Sequence, residues 1–142
     1  MVLTSLEVQG YNSMFNSNGI LKYSDNSSKL VVEVDPEISK YYFSLIPKYF
    51  KLNKQMFAPH ISVVRNIDVS NMLSWNKYQN QEVLFEYESY IYMDETYCWL
   101  NIFASKLEDI RKELGLSPFG DVTLSPNGFH NFHMTIGNFK NR

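Results

Sequence analysis

With 142 residues, 44% of them hydrophobic and 15% aromatic, the chain is expected to fold as a single domain over residues 1–142 with a substantial core, which excludes wholesale disorder. A formal net charge of −2 excludes a protein that holds long nucleic acid by bulk electrostatics, because affinity for a polyanion comes chiefly from several Lys and Arg contacts; an anionic ligand should be small and bound locally. Met1 to Glu7 has neither a basic start nor a long apolar run, and no later segment approaches the roughly 18 apolar residues of a membrane span, so a cytoplasmic chain without a membrane partner is expected.

Gly10 to Ser28 mixes Asn, Ser and Gly with Tyr11, Phe15, Leu21 and Tyr23, and reads as an ordered loop or a short hairpin. Leu30 to Val34 is a short strand rich in β-branched residues. Asp35-Pro36-Glu37 then starts a helix, with Asp35 as N-cap and Pro36 at the first helical position. Ile38, Tyr41, Tyr42 and Leu45 follow at helical spacing, and the helix should stop before Pro47. An irregular connection from Lys48 to Pro59 leads into the strand His60 to Arg65, and Asp68 to Trp75 reads as another short helix. Val83 to Met93 and Tyr97 to Phe103 are apolar and aromatic runs joined by Asp94-Glu95-Thr96, a β-hairpin pattern. A second helix runs from about Ser105 to Leu114, with Leu107, Ile110, Arg111 and Leu114 on one side and Gly115 ending it. The turn-rich stretch Gly120 to Phe132 delivers the last strand, His133 to Gly137. Each half has a strand-helix-strand rhythm, which points to a two-lobed α+β layout.

The chemistry concentrates in two short matched segments, His60-Ile61-Ser62-Val63 and His133-Met134-Thr135-Ile136. Each places a histidine two residues before a hydroxyl, so in an extended segment both polar side chains share one face and the apolar ones the other. Two such pairs facing each other would make a phosphate site. Cleaving a phosphodiester without a metal needs one group to take a proton from the nucleophile and another to give one to the leaving oxygen. Histidine, with an unperturbed pKa of about 6.5, suits both tasks. Ser62 and Thr135 would donate hydrogen bonds to the non-bridging oxygens, where charge must be held. Either motif alone is common by chance. The chain has three histidines, and two of them open matched motifs.

The paired His-x-Ser/Thr motifs resemble those of the 2H phosphoesterase superfamily. The resemblance implies a bilobal α+β fold, two antiparallel sheet lobes about a central cleft with flanking helices. It also implies cofactor-free action on 2′,3′-cyclic phosphates, 2′-5′ linkages or cyclic nucleotides. Leu30-Val31-Val32-Glu33-Val34-Asp35 leading to Tyr41-Tyr42, and Ala58-Pro59-His60-Ile61-Ser62-Val63-Val64-Arg65, are similar to phage-encoded 2H proteins, among them anti-CBASS phosphodiesterases that destroy the cyclic oligonucleotide signals of bacterial immunity. The substrate this implies is a small cyclic di- or trinucleotide, met in the host cytoplasm. Alternatives are an RNA 2′,3′-cyclic phosphodiesterase or 2′-5′ RNA ligase-like enzyme, and a nucleotide sponge that binds without turnover.

The few residues after His133 leave little for a lid, so other aromatics should stack on the bases. Tyr11, Phe15 and Trp75 are the candidates, with Trp99 a further one placed in an apolar strand. Arg65 should project to the face opposite His60, and Lys140 and Arg142 lie near the second motif as counter-charges or solvated ends. A zinc site from Cys98, Asp121, His130 and His133 would leave the His60 motif unexplained, so no metal is expected. Cys98 also lacks an adjacent base that would make it a nucleophile.

Overall fold

A computed structural model describes residues 5–7, 14–24, 29–65, 69, 71–118 and 132–140. Along the chain it contains β1 (Ser5–Glu7), β2 (Met14–Ser24), β3 (Lys29–Val34), α1 (Pro36–Leu45), β4 (Asn53–Lys54), β5 (His60–Val64), β6 (Glu82–Met93), β7 (Tyr97–Phe103), α2 (Ser105–Glu113) and β8 (His133–Asn138). Six strands close on themselves in the order β6-β2-β3-β5-β8-β7 and back to β6, every pairing antiparallel. β1 pairs with β6, and β4 pairs with β8.

The molecule is therefore one closed six-stranded barrel with two short helices, and the expected bilobal two-sheet α+β fold is incorrect. Two pairings overturn it. β5 and β8, the motif strands assigned to separate lobes, are direct neighbours at Ile61 and Met134. The twelve-residue β6 binds β2 from Glu82 to Glu88 and β7 from Glu86 to Met93, which closes the ring. Alternation along a strand dictates which residues face inward but not which strand lies alongside, and closure satisfies edges that two open sheets would leave exposed.

Helix α1 forms as its sequence requires. The Asp35 carboxylate accepts the Glu37 N–H at 2.9 Å, Pro36 opens the first turn, and Ile46 ends the helix before Pro47. In α2 the stop is Gly115, with φ of 81°. Two expectations are corrected. Much of the stretch read as loop or hairpin, Gly10 to Ser28, is the eleven-residue β2. There Gly19, Leu21 and Tyr23 are buried while Asn16 and Asn18 are exposed, so a polar outer face hides the strand. Gly19 fits because a Cβ would lie 2.5 Å from the Glu33 carbonyl oxygen. In the Asp68 to Trp75 segment the described helical part is the 3₁₀ turn Met72–Ser74, closed by the Trp75 N–H on the Met72 carbonyl at 3.0 Å. The connection expected from Gly120 lies outside the described residues up to Phe132.

The interior has two connected apolar clusters at opposite ends of the barrel. At one end Tyr42 of α1 and Ile46 just after it meet Ile91, Met93, Leu100 and Ile136. At the other, Leu107 and Ile110 of α2 and Leu114 just after it meet Leu30, Val63 and Ile102. Arg111 of α2 is buried, with Nε donating to the Ser117 carbonyl and Nη1 to the Val63 carbonyl, both at 2.6 Å. Among the described residues no helix is long and apolar enough to cross a membrane.

Candidate active site

In β5, His60 and Ser62 are half-buried while Ile61 and Val63 are buried; in β8, His133 and Thr135 are half-buried while Met134 and Ile136 are buried. The alternation read from the sequence thus places both polar pairs on the outward face. The antiparallel pairing of Ile61 with Met134 sets their relation. One residue to either side, His60 stands opposite Thr135 and Ser62 opposite His133. Side chains directly opposite on neighbouring strands have Cβ atoms roughly 4.5–5.5 Å apart, and diagonal ones lie at roughly 7–8 Å. The two imidazoles therefore occupy one diagonal of a four-residue square and the two hydroxyls the other. A tetrahedral group over its centre would have an imidazole on each of two opposite sides and a hydroxyl donor on each of the others.

The His60 ring is oriented by its own chain. Its Nδ1 lies 3.0 Å from the Ala58 carbonyl oxygen, which accepts only, so Nδ1 carries the proton and Nε2 is the nitrogen available for exchange in the neutral ring. On one flank of the square, Glu33 of β3 stands opposite His60 and Val31 opposite Ser62. On the other, β7 sets Asn101 opposite His133 and Trp99 opposite Thr135.

That second flank is a fixed polar-aromatic wall. Trp99 Nε1 donates to Asn101 Oδ1 at 3.0 Å, and the Asn101 amide in turn bonds the Tyr92 phenol. Tyr92 stacks on Trp99 with centroids 6.0 Å apart and planes 16° off parallel. Burial, then the nearby Glu88 carboxylate, raises the Tyr92 phenol pKa, so the group stays protonated and serves as a hydrogen-bonding wall. Asn101 was missed in reading the sequence. Its signal was available, because it is the buried amide within the otherwise apolar and aromatic Tyr97–Phe103 run.

The other expected ligand contacts are not gathered with these four. Tyr11 lies outside the described residues, as do His130, Asp121 and Arg142. Phe15 lines an open hollow of about 320 Å3 with Glu37, Ile38, Tyr41, Tyr42 and Tyr87, none of which belongs to the square, and β3 lies between its strand and β5. Trp75 is 9% exposed and packs edge to face on Tyr23, with centroids 4.9 Å apart, in the cluster at the α2 end. Trp99 is core-like at 2% exposure and enters the site as wall. Lys140 extends its ammonium over Tyr97, 4.8 Å from the ring centre. Cys98 is fully buried in the interior, on the face opposite His133. Burial first, then Asp94, pushes its thiol up to about 12. Among the described residues no three of His, Cys, Asp or Glu are grouped as a metal would need.

No family model, no curated protein and no solved structure matches the chain.

Proposed function

We propose that the chain is a metal-independent phosphodiesterase of the 2H type that hydrolyses small cyclic oligonucleotides. Its setting would be the cytoplasm of a bacterial host, where a phage protein would remove a cyclic di- or trinucleotide immune signal. The observation that carries the chemistry is the square itself: two histidines on one diagonal and two hydroxyls on the other, on neighbouring strands. The barrel lends the superfamily resemblance no support from the fold, so this reading rests on the motifs and their mutual geometry. The substrate class rests on the resemblance to phage-encoded members, and the small negative net charge agrees with a small ligand.

In this mechanism one imidazole takes the proton of the attacking water or ribose hydroxyl as its oxygen bonds to phosphorus. The other protonates the departing ribose oxygen as the old P–O bond breaks. Ser62 and Thr135 hold the non-bridging oxygens through the transition state. One neutral and one protonated imidazole together require a bell-shaped dependence of kcat/KM on pH, whose two limbs belong to the pair.

The test incubates the purified chain with EDTA and a panel of cyclic dinucleotides, cyclic trinucleotides and RNA ending in a 2′,3′-cyclic phosphate, then resolves the products by chromatography. Cleavage of the cyclic oligonucleotides is expected. His60→Ala and His133→Ala should each lower it by about 10²–10⁴-fold. Turnover retained in either variant sinks the two-histidine assignment. Binding with full ligand recovery would identify a sponge, and cleavage confined to RNA ends would identify RNA processing.

A further inference from the structure

Arg65, expected from a regular strand to point away from His60, is turned by the way β5 pairs with β3. Val31 stands opposite Ser62, but its neighbour Leu30 stands opposite Val64, so Val63 is an extra residue with no counterpart on β3. A bulge of this kind shifts the alternation beyond it by one residue and re-aims the side chains that follow. Val63 and Val64 are accordingly buried in succession, Val64 beside the equally buried Leu30. Arg65, the next residue, is exposed and falls on the face that carries His60 and Ser62. The bulge is anchored by α2, because the Val63 carbonyl accepts a hydrogen bond from Nη1 of the buried Arg111 at 2.6 Å.

Beyond Leu30 on β3 lies Lys29, which shares the outward face with Val31 and Glu33 and stands beside Arg65. The two cations sit roughly 6–7 Å further along the sheet than Val31 and Ser62. Lys22 of β2, opposite Val31, is also on this face, but its ammonium donates to the Asn80 carbonyl. Like charges opposite one another on neighbouring strands repel unless an anion lies between them. The ion pairs within the described residues, Lys40 with Glu37 and Lys77 with Glu113, include neither Lys29 nor Arg65. At the other end of the square, Glu33 stands opposite His60. The face thus runs from a carboxylate beside His60 to a pair of cations beyond Ser62, and a polyanion seated on the square is drawn toward the Ser62 end.

We propose that Lys29 and Arg65 hold the unreacted phosphate next to the one being cleaved; the proposal rests on the reading that the square cleaves a cyclic oligonucleotide. Such a ligand carries one phosphate per nucleotide. With one phosphate over the two histidines, its neighbour lies along the same face, within the span of these two long side chains. A chain of net charge −2 thereby binds a polyanion through two local cations instead of a basic groove. The bulge is the device that brings the guanidinium to this face, and Arg111 holds the bulge in place.

The test compares a substrate that has a second phosphate with one that lacks it. Wild type and the double variant Lys29→Gln/Arg65→Gln are assayed on a cyclic trinucleotide and on bis(4-nitrophenyl) phosphate. A second double variant, Lys40→Gln/Lys54→Gln, removes the same charge from α1 and β4 as a control. Loss of Lys29 and Arg65 should raise KM for the trinucleotide by about tenfold or more with little change in kcat, because the contact is the same in ground and transition states. It should also flatten the fall of kcat/KM with added salt, and leave the small diester unaffected. The control should behave as wild type on both substrates. An unchanged KM for the trinucleotide, an equal rise in the control, an equal loss on the diester, or wild-type cleavage of the diester alone overturns the proposal. If wild type cleaves neither substrate, the catalytic reading fails by itself, and calorimetry still decides the phosphate contact. Trinucleotide binding by wild type and by the control that is lost without Lys29 and Arg65 supports it; absence of binding, or equal binding by all three proteins, overturns it.

Discussion

His60 and His133 reach the same face by different support. His60 is steered by the chain just before it, through the Ala58 carbonyl. His133 stands beside a wall built by another strand, Trp99, Asn101 and Tyr92. The first kind of support is local and could be read from the sequence; the second needs the register of β7 on β8. At this scale the motifs were legible because their spacing matches the two-residue period of a strand, and the burial pattern follows it residue by residue. The aromatics were not. Exposed stackers and core aromatics have the same side chains, and Trp75 packs into the interior while Phe57 stands at the surface. Cys98 gives a residue-level prediction. Its thiol, raised to about 12 by burial and by Asp94, stays protonated and out of solvent at pH 8. The folded protein should not react with an aromatic disulfide reagent there, whereas one thiol per chain should react in guanidinium. Prompt labelling of the folded protein would contradict the buried placement.

Among the elements, β8 has the most demanding surroundings, taking β7 on one side and both β5 and β4 on the other. Gly137 makes the approach of β4 possible, since a Cβ there would lie 2.7 Å from the Asn53 carbonyl oxygen and 2.8 Å from the Leu52 side chain. Gly137→Ala should push β4 away and cost about 1–3 kcal/mol by urea unfolding. An unchanged unfolding midpoint would show that β4 gives way freely. The helices were legible because Asp35, Pro36, Pro47 and Gly115 mark their ends through short-range capping and steric rules. β2 was not, because its Asn positions are those facing water and its Gly19 answers to the backbone of β3.

For the whole molecule, the groups with raised pKa values act in one direction. Cys98 rises from an ordinary 9.0, and Tyr23, Tyr42, Tyr87 and Tyr92 rise from 10.0, burial being the largest cause in each. Well below pH 9 the folded and unfolded chains hold these protons alike, so they leave stability unchanged. Above it the unfolded chain releases them while the folded chain retains them, and stability falls as pH rises. The urea midpoint should therefore drop steadily between pH 9 and pH 11. A level midpoint across that range would mean that these groups are solvated. At the acid end Glu113 acts oppositely. Hydrogen bonds from Tyr78 and then Lys77 lower its pKa, so its contribution is present near neutrality and is lost as pH falls. By itself the sequence determined both α-helices, most of the strands, and which face of β5 and β8 carries the histidines and hydroxyls, because capping, steric stops and side-chain alternation act within a few residues. Tertiary structure decided that β5 lies against β8 in a closed barrel and that Asn101 flanks His133. Pairing between distant segments depends on the packing and closure of the complete set of strands, which no local pattern encodes.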